Sequence, residues 1–292
     1  ADKLIFPASL AKLMTAEYVF NELKEGRINL TDEYMVSENA WRKGGAPSRG
    51  STMYASLHSK VSVDDLLHGV IIQSGNDACI VLAEGIAGSE AEFADKMTQR
   101  ARAIGLTKSV FTNSSGLPDP GTKVTTRELG LLARHIIREY PEFYKIYGQR
   151  EFTWNKIRQQ NRNPLLASLE GADGLKTGFT KEAGYGLVGS ATQNKLRLIA
   201  VVNGLKTAKE RADEGKKLLE WGFRNFEPRA LFAEGQIIGA AKVYGGASGR
   251  VSLVAGNEVK VMLPKSGAER LIARIVYKGP VPAPIPAGQP IG

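Results

Sequence analysis

Pro7-Ala8-Ser9-Leu10-Ala11-Lys12-Leu13-Met14-Thr15-Ala16 opens the first helical stretch of the chain. From Ser9 to Lys24 the apolar residues Leu10, Leu13, Met14, Tyr18, Val19 and Leu23 recur at helical spacing, with Pro7 ahead and Gly26 behind, which predicts a buried helix. Residues three apart share a helix face, so the Lys12 amine is expected beside the Ser9 hydroxyl in the first turn. A helix N-terminus favours developing negative charge. A lysine that loses its own charge, through desolvation or a second nearby cation, becomes a base for an adjacent alcohol. Taken alone, the four residues read more simply as a serine cap followed by a surface lysine.

Outward from this stretch, Val63 to Ile72, Asn76 to Ile86, Glu90 to Ile104 and Thr126 to Tyr140 repeat the helical pattern, with Gly44 to Gly50 and Ser114 to Gly121 as loops. From Gly174 the period changes. Leu175 to Phe179, Tyr185 to Ala191 and Leu196 to Val202 read as strands of an antiparallel meander, followed by a helix from about Lys209 to Phe223. After Pro228 come short β-prone runs at Ile237 to Val243, Val251 to Val254, Val259 to Leu263 and Ile272 to Tyr277. The expected division is therefore residues 1–226 and a small β-rich domain over 227–292, whose Pro/Gly-rich end, 279–292, reads as a connection or a flexible terminus.

The chain has 292 residues, 42% hydrophobic and 24% charged, an ordinary globular composition. Its formal net charge of +9 suits a polyanionic neighbour, which could be nucleic acid, an anionic membrane face or acidic wall polymers. The basic residues are dispersed, without a basic run interleaved with aromatics, so no nucleic acid is expected as a partner. Cys79 is the single cysteine, and His58, His68 and His135 are not at metal-ligand spacing, so neither a disulfide nor a metal or other cofactor is expected. No run of about 18 apolar residues and no charged-then-apolar leader occurs, and the chain is expected to be soluble as given, without a signal peptide.

Two further motifs carry chemistry. Ser74-Gly75-Asn76 lies between the apolar stretch Leu66 to Ile72 and the helix beginning at Asp77. A hydroxyl and a carboxamide at such a junction can point into one cavity, Ser74 relaying a proton and Asn76 orienting Lys12 and a substrate amide; ordinary capping is the plainer alternative. In Lys176-Thr177-Gly178, on a strand, Lys176 and Gly178 are expected on one face and Thr177 on the other, with Gly178 letting a peptide backbone approach. An extended substrate could then pair with this strand, while the backbone N–H groups of Ser9 and Phe179 address its carbonyl oxygen.

Ser-x-x-Lys, Ser-x-Asn and Lys-Thr-Gly, in that order, resemble the signature of penicillin-binding proteins and serine β-lactamases. The surrounding residues narrow this. Phe6 to Thr15, Gln73 to Cys79, Asn161-Arg162-Asn163, Asp173 to Gly178 and Trp221-Gly222-Phe223 before a β domain are similar to the low-molecular-mass penicillin-binding proteins, the serine-type D-alanyl-D-alanine carboxypeptidases of peptidase family S11. The likeness runs from Ala1 to the end. It implies an α+β fold, in which a transpeptidase/β-lactamase-like domain combines an antiparallel sheet with helices and an all-helical subdomain. A small C-terminal β-sandwich-like domain, incomplete here, would follow.

The same resemblance implies removal of the terminal D-alanine from peptidoglycan pentapeptide stems through an acyl-enzyme, with β-lactam antibiotics as covalent inhibitors. Ser9 would be the nucleophile, Lys12 its base, and Ser74 and Asn76 the relay and positioning pair. Lys176 and Thr177 would bind on the substrate carboxylate side, and Arg162 would help hold the terminal carboxylate, which a guanidinium fork suits. It also implies an exported protein of the cell envelope, periplasmic or at the outer face of the cytoplasmic membrane. Relatives rest on that membrane through a C-terminal amphipathic helix and carry a strand hairpin before the serine helix; neither stands in this sequence.

The alternatives are a serine β-lactamase, a peptidoglycan DD-endopeptidase and, in another class, a non-catalytic wall-binding scaffold. Class A β-lactamases carry an acidic residue where Gly75 stands, and the loop glutamate they deacylate with has no counterpart, so slow release of penicillin is expected. Cys79 reads as a buried thiol, although it lies one turn after Ser74. The loop Arg42 to Gly50 is a connector that could flank the cleft. Ser115-Gly116 stands where some relatives have a histidine, so no role for it is inherited.

Overall fold

The computed structural model describes residues 1–266 and 272–291. It divides into two compact units, Ala1–Trp221 and Gly222–Gly292. The first begins with β1 (Leu4–Ile5), a 3-10 turn (Ala8–Ala11), α1 (Lys12–Lys24), β2 (Glu33–Met35), α2 (Glu38–Gly44), a 3-10 turn (Ala46–Ser48) and β3 (Lys60–Ser62). Then come α3 (Val63–His68), a π-helical turn (Gly69–Gln73), α4 (Asn76–Ala87), α5 (Glu90–Ala103), β4 (Val124–Thr125), α6 (Thr126–Glu139) and α7 (Pro141–Tyr144). A hairpin of β5 (Glu151–Trp154) and β6 (Ile157–Gln160), and α8 (Leu165–Ser168), lead into β7 (Ala172–Thr180), β8 (Gly184–Gln193) and β9 (Leu196–Leu205). Helix α9 (Ala208–Asn225) contains the break between the units.

Helix α1 is buried all round. Leu13, Met14, Ala16, Val19 and Phe20 have no exposed surface, which an apolar helix can sustain only inside a core. Lys12, Thr15, Glu17 and Glu22 on it are buried too, and each has a partner. Thr15 donates to the Ser114 carbonyl, and Glu17 meets Arg100 at 2.9 Å, His135 at 3.1 Å and the Tyr140 hydroxyl at 3.1 Å. Helix α4 is enclosed from Asn76 to Ala83. Asp77, in its first turn, accepts from the Thr52 hydroxyl and from the amides of Met53, Ala55 and Ala78, stitching the segment 52–55 to the helix start.

The meander is antiparallel in the order β7-β8-β9, with Lys176 opposite Val188 and Gly178 opposite Gly186. The helices of the first unit follow the sequence expectation closely, with three differences. Ser9 sits in a 3-10 turn, and the α-helix begins only at Lys12. Ala8, at the entry to this turn, takes a φ of +49°, outside both the α and the 3-10 ranges. The expected loop Gly44 to Gly50 is partly ordered: α2 runs through Arg42 to Gly44, capped where Ser37 accepts from the Ala40 amide at 2.9 Å, and Ala46–Ser48 follows. The helical stretch after Val63 is not uniform either. It widens to the π turn at Gly69, ending where the Gly75 amide donates to the Gly69 carbonyl at 2.9 Å with Ser74 left-handed at φ +65°.

In the second unit β10 (Phe226–Phe232) pairs with β13 (Val259–Pro264), and β11 (Ile237–Tyr244) lies between β12 (Arg250–Val254) and β14 (Val281–Pro282). The β-prone run Ile272 to Tyr277 is not a strand: residues 272–278 have no regular structure. A side chain meets β11 instead, the Lys242 amide donating to the Tyr277 hydroxyl at 2.9 Å, and Val281–Pro282 supplies the pairing. The α+β architecture with a β-rich C-terminal unit stands.

Candidate active site

The three motifs converge. Lys12 is buried, and its ammonium donates to the Ser9 hydroxyl at 2.9 Å, to Asn76 Oδ1 at 2.8 Å and to the Ser115 carbonyl at 2.6 Å. Burial disfavours the charged form and pulls Lys12 from 10.5 down to about 8; the Arg162 charge adds to this, while Cys79, Asp77 and Glu90 oppose it. An amine titrating near 8, three ångströms from a serine hydroxyl, is placed to remove its proton at neutral pH.

Ser9, Ser74, Thr177, Gly178 and Phe179 line one cavity of about 360 Å³, together with Ser51, Arg162, Tyr185 and Arg211. The Ser74 hydroxyl is buried and has no hydrogen-bond partner among the described residues, so it faces the cavity with its donor and acceptor uncommitted. Lys176 lies behind this wall, with its ammonium 3.3 Å from the Thr177 carbonyl. Burial lowers its pKa well below the ordinary lysine value, and the charges of Lys12, Arg162 and Arg211 push the same way.

Gly178 serves a contact different from the one expected. A Cβ there would lie 3.0 Å from the Pro7 carbonyl oxygen and 3.1 Å from the Leu10 amide, so the space it leaves admits the Ser9 turn. The glycine thereby sets how closely the serine approaches β7. Cys79 is fully buried, and burial pushes its thiol up to about 12, in keeping with a packed, unreactive side chain.

The far wall is cationic. Arg162 donates to the Ser51 hydroxyl at 2.6 Å, and Arg211 lies over the Tyr185 ring at 5.5 Å with its Nε buried and unpartnered. Neither guanidinium has an ion-pair partner among the described residues, and desolvation lowers the pKa of both. Two unpaired guanidinium groups in one cavity suit a carboxylate.

Sequence reasoning passed over Arg211, Tyr185, Ser51 and the Ser115 carbonyl. Arg211 had a usable signal, because a cation in the first turn of α9 opposes the helix dipole and so breaks a local rule. The Ser115 contact is made by main chain and leaves no trace in residue type. Among the described residues no group of three or more His, Cys, Asp or Glu side chains is placed to hold a metal ion.

The sequence pattern of the peptidase S11 D-alanyl-D-alanine carboxypeptidases matches residues 1–207, and that of the penicillin-binding protein 5 C-terminal domain matches 226–292. The chain is 44% identical to the D-alanyl-D-alanine carboxypeptidase DacC of Escherichia coli, over 100% of its own length and 74% of that protein. It is 42% identical to DacA of Haemophilus influenzae, over 100% of its length and 74% of that protein. The crystal structure of penicillin binding protein 5 from Haemophilus influenzae superposes with a TM-score of 0.88 at 42% identity, covering 99% of this chain and 85% of that one. With Ser9, held by Lys12, lining a cavity that two arginines also line, the chain belongs to the peptidase S11 family of D-alanyl-D-alanine carboxypeptidases.

Proposed function

We propose that this D-alanyl-D-alanine carboxypeptidase acts through Ser9, with Lys12 as its base, and that the 2.9 Å contact between them carries the assignment. In the neutral state of Lys12, Ser9 Oγ gives its proton to Nζ and attacks the carbonyl of the penultimate D-alanine of a peptidoglycan pentapeptide stem. The backbone N–H groups of Ser9 and Phe179 address the oxyanion. The peptide C–N bond breaks, the departing D-alanine amine takes a proton through Ser74, and water hydrolyses the acyl-enzyme in a second step. Asn76 Oδ1 orients the lysine. Arg162 and Arg211 hold the terminal carboxylate beside Thr177, and Lys176 supports that wall from behind.

β-Lactams acylate the same serine. The cavity that holds Ser9 has no carboxylate in its lining, so a penicilloyl group lacks the acidic side chain that would activate water, and its release is slow. This favours a carboxypeptidase over a β-lactamase. The chemistry belongs to residues 1–226, and 227–292 forms a separate β-rich domain. We place the enzyme at the cell envelope, periplasmic or on the outer face of the cytoplasmic membrane, where its substrate lies; peripheral membrane contact through a C-terminal segment completes this reading, and cell fractionation checks it.

The deciding experiment is intact-mass detection of a penicillin adduct. One adduct on a peptide containing Ser9, lost in Ser9→Ala, supports the mechanism; an adduct persisting in that variant refutes it.

A further inference from the structure

The three hydrogen-bond partners of Lys12 differ in what they can do. Asn76 Oδ1 and the Ser115 carbonyl oxygen only accept, whereas the Ser9 hydroxyl can accept or donate. The ammonium form fills all three with its hydrogens. The neutral amine has two hydrogens and a lone pair, and it keeps every contact by turning the hydrogens to the two fixed acceptors and the lone pair to the Ser9 O–H. The Ser115 carbonyl therefore does more than hold the lysine. Together with Asn76 it aims the basic electron pair at the serine.

That carbonyl belongs to a buried turn held from several sides. Ser114 donates twice to Glu90 Oε1, through its amide at 3.2 Å and its hydroxyl at 2.7 Å, and its own carbonyl accepts from Thr15 on α1. Asn113 Oδ1 accepts from the amides of Ser115 at 3.2 Å and Gly116 at 2.7 Å. Asn113 acts from within the turn, and Thr15 from the helix that carries the base. Glu90, in the first turn of α5, ties the turn to another element and has no ion-pair partner among the described residues.

The charged and titratable groups around Lys12 are Asp77 and Cys79 on α4, Lys176 on β7, Arg162 and Glu90. The Cys79 thiol, pushed up to about 12 by burial, is uncharged at neutral pH. Asp77 is occupied by the Thr52 hydroxyl and the amides of Met53, Ala55 and Ala78. Glu90 is the carboxylate bound to the residue next to a Lys12 partner. Burial lowers the lysine, and the negative charge of Glu90 works against it. We propose that Glu90 is a positioning residue for the acylation of Ser9, holding the Ser114–Ser115 turn so that its carbonyl fixes one N–H of neutral Lys12 and leaves the lone pair on the serine. The assignment rests on the Ser9-centred reading above and adds the residue that steers the base. Glu90 then acts in two separable ways: its oxygen holds the turn, and its charge sets where Lys12 titrates.

Glu90→Gln keeps an acceptor oxygen for Ser114 and removes the charge, whereas Glu90→Ala removes both. The test is penicillin acylation between pH 6 and 10, with the labelled fraction titrated and a thermal melt recorded for each variant. Glu90→Gln should move the inflection to lower pH, raising the rate at pH 7 about two- to threefold while the high-pH plateau stays within about twofold of wild type. Glu90→Ala should lower the plateau about tenfold or more in protein that still labels fully, because a small misalignment of lone pair and hydroxyl slows the transfer. An inflection unmoved in Glu90→Gln or a plateau kept in Glu90→Ala overturns the proposal and leaves the Ser9 chemistry standing. So does a loss that appears only as a smaller labelled fraction reacting at the wild-type rate, which is the mark of unfolding. No adduct on Ser9 in the wild-type protein overturns the underlying reading and the proposal with it.

Discussion

Acylation of Ser9 should follow the titration of Lys12. The amine is enclosed and titrates at about 8, and only its neutral form can take the serine proton. At pH 7 roughly one molecule in eleven carries neutral Lys12, and at pH 9 roughly ten in eleven, so the second-order rate of penicillin acylation should rise about tenfold over that interval and then level off. An ordinary lysine titrating at 10.5 would instead give about a hundredfold rise from pH 7 to 9 and a continued increase beyond pH 10. Stopped-flow labelling with a fluorescent penicillin between pH 6 and 10, with thermal melts at each pH to exclude unfolding, measures the curve. A profile that is flat, or that does not level by about pH 9.5, refutes the assignment of Lys12 as the base. The same shift fixes a sign for stability. Because the folded-state pKa lies below the unfolded one, the unfolded chain binds the extra proton between about 8 and 10.5, and this group adds stability as pH rises through that window, by about 3 kcal/mol at most.

Gly116→Ala should disturb both fold and rate: the new Cβ would lie 1.9 Å from the Ala8 carbonyl oxygen at a residue with φ +75°, so a loss of about 2–3 kcal/mol by chemical denaturation and slower acylation are expected. Arg162→Ala and Arg211→Ala should each lower kcat/KM about tenfold or more for a peptide with a free terminal carboxylate, and much less for its amide. Equal losses with both peptides would remove that arginine from carboxylate binding. Asp77→Asn places an NH2 group among three amides and a hydroxyl that now donate to the carboxylate, and should lower the melting temperature by about 5 °C, equivalent to about 2 kcal/mol. An unchanged melt would show that this network does not hold α4 to the segment 52–55.

The helices were legible because their apolar period of 3.6 is written in residue type, as in Leu10 to Leu23, and the meander because short strand-like runs such as Tyr185 to Ala191 are set off by Gly-rich or polar turns. The local winding at Ser9 was not, since nothing in the residue types there announces a 3-10 turn or the left-handed φ at Ala8. Ile272 to Tyr277 had the composition of a strand, but its place beside β11 is taken by Val281–Pro282 and by one tyrosine hydroxyl. At the site, Ser9, Lys12, Ser74 and Asn76 came forward only through the order of the three motifs and the family resemblance it carries, since each motif alone reads as ordinary capping. The glycine of Lys-Thr-Gly was read as leaving space, but that the Ser9 turn packs against it was not legible, because which backbone fills a gap is a tertiary fact. Arg211 and the Ser115 carbonyl reach the site from segments remote in sequence and outside any short motif.

The π turn at Gly69–Gln73 holds one residue more than an α-turn would, and Ser74 stands directly after it. Deleting one residue there would let α3 continue with an unbroken ladder, yet it would swing everything beyond by about 100° around the helix axis. Ser74 would leave the cavity wall, and Asn76 would lose its bearing on Lys12. The local pitch thus works as a setting in a mechanism, and an edit that improves the helix as a helix detunes the enzyme.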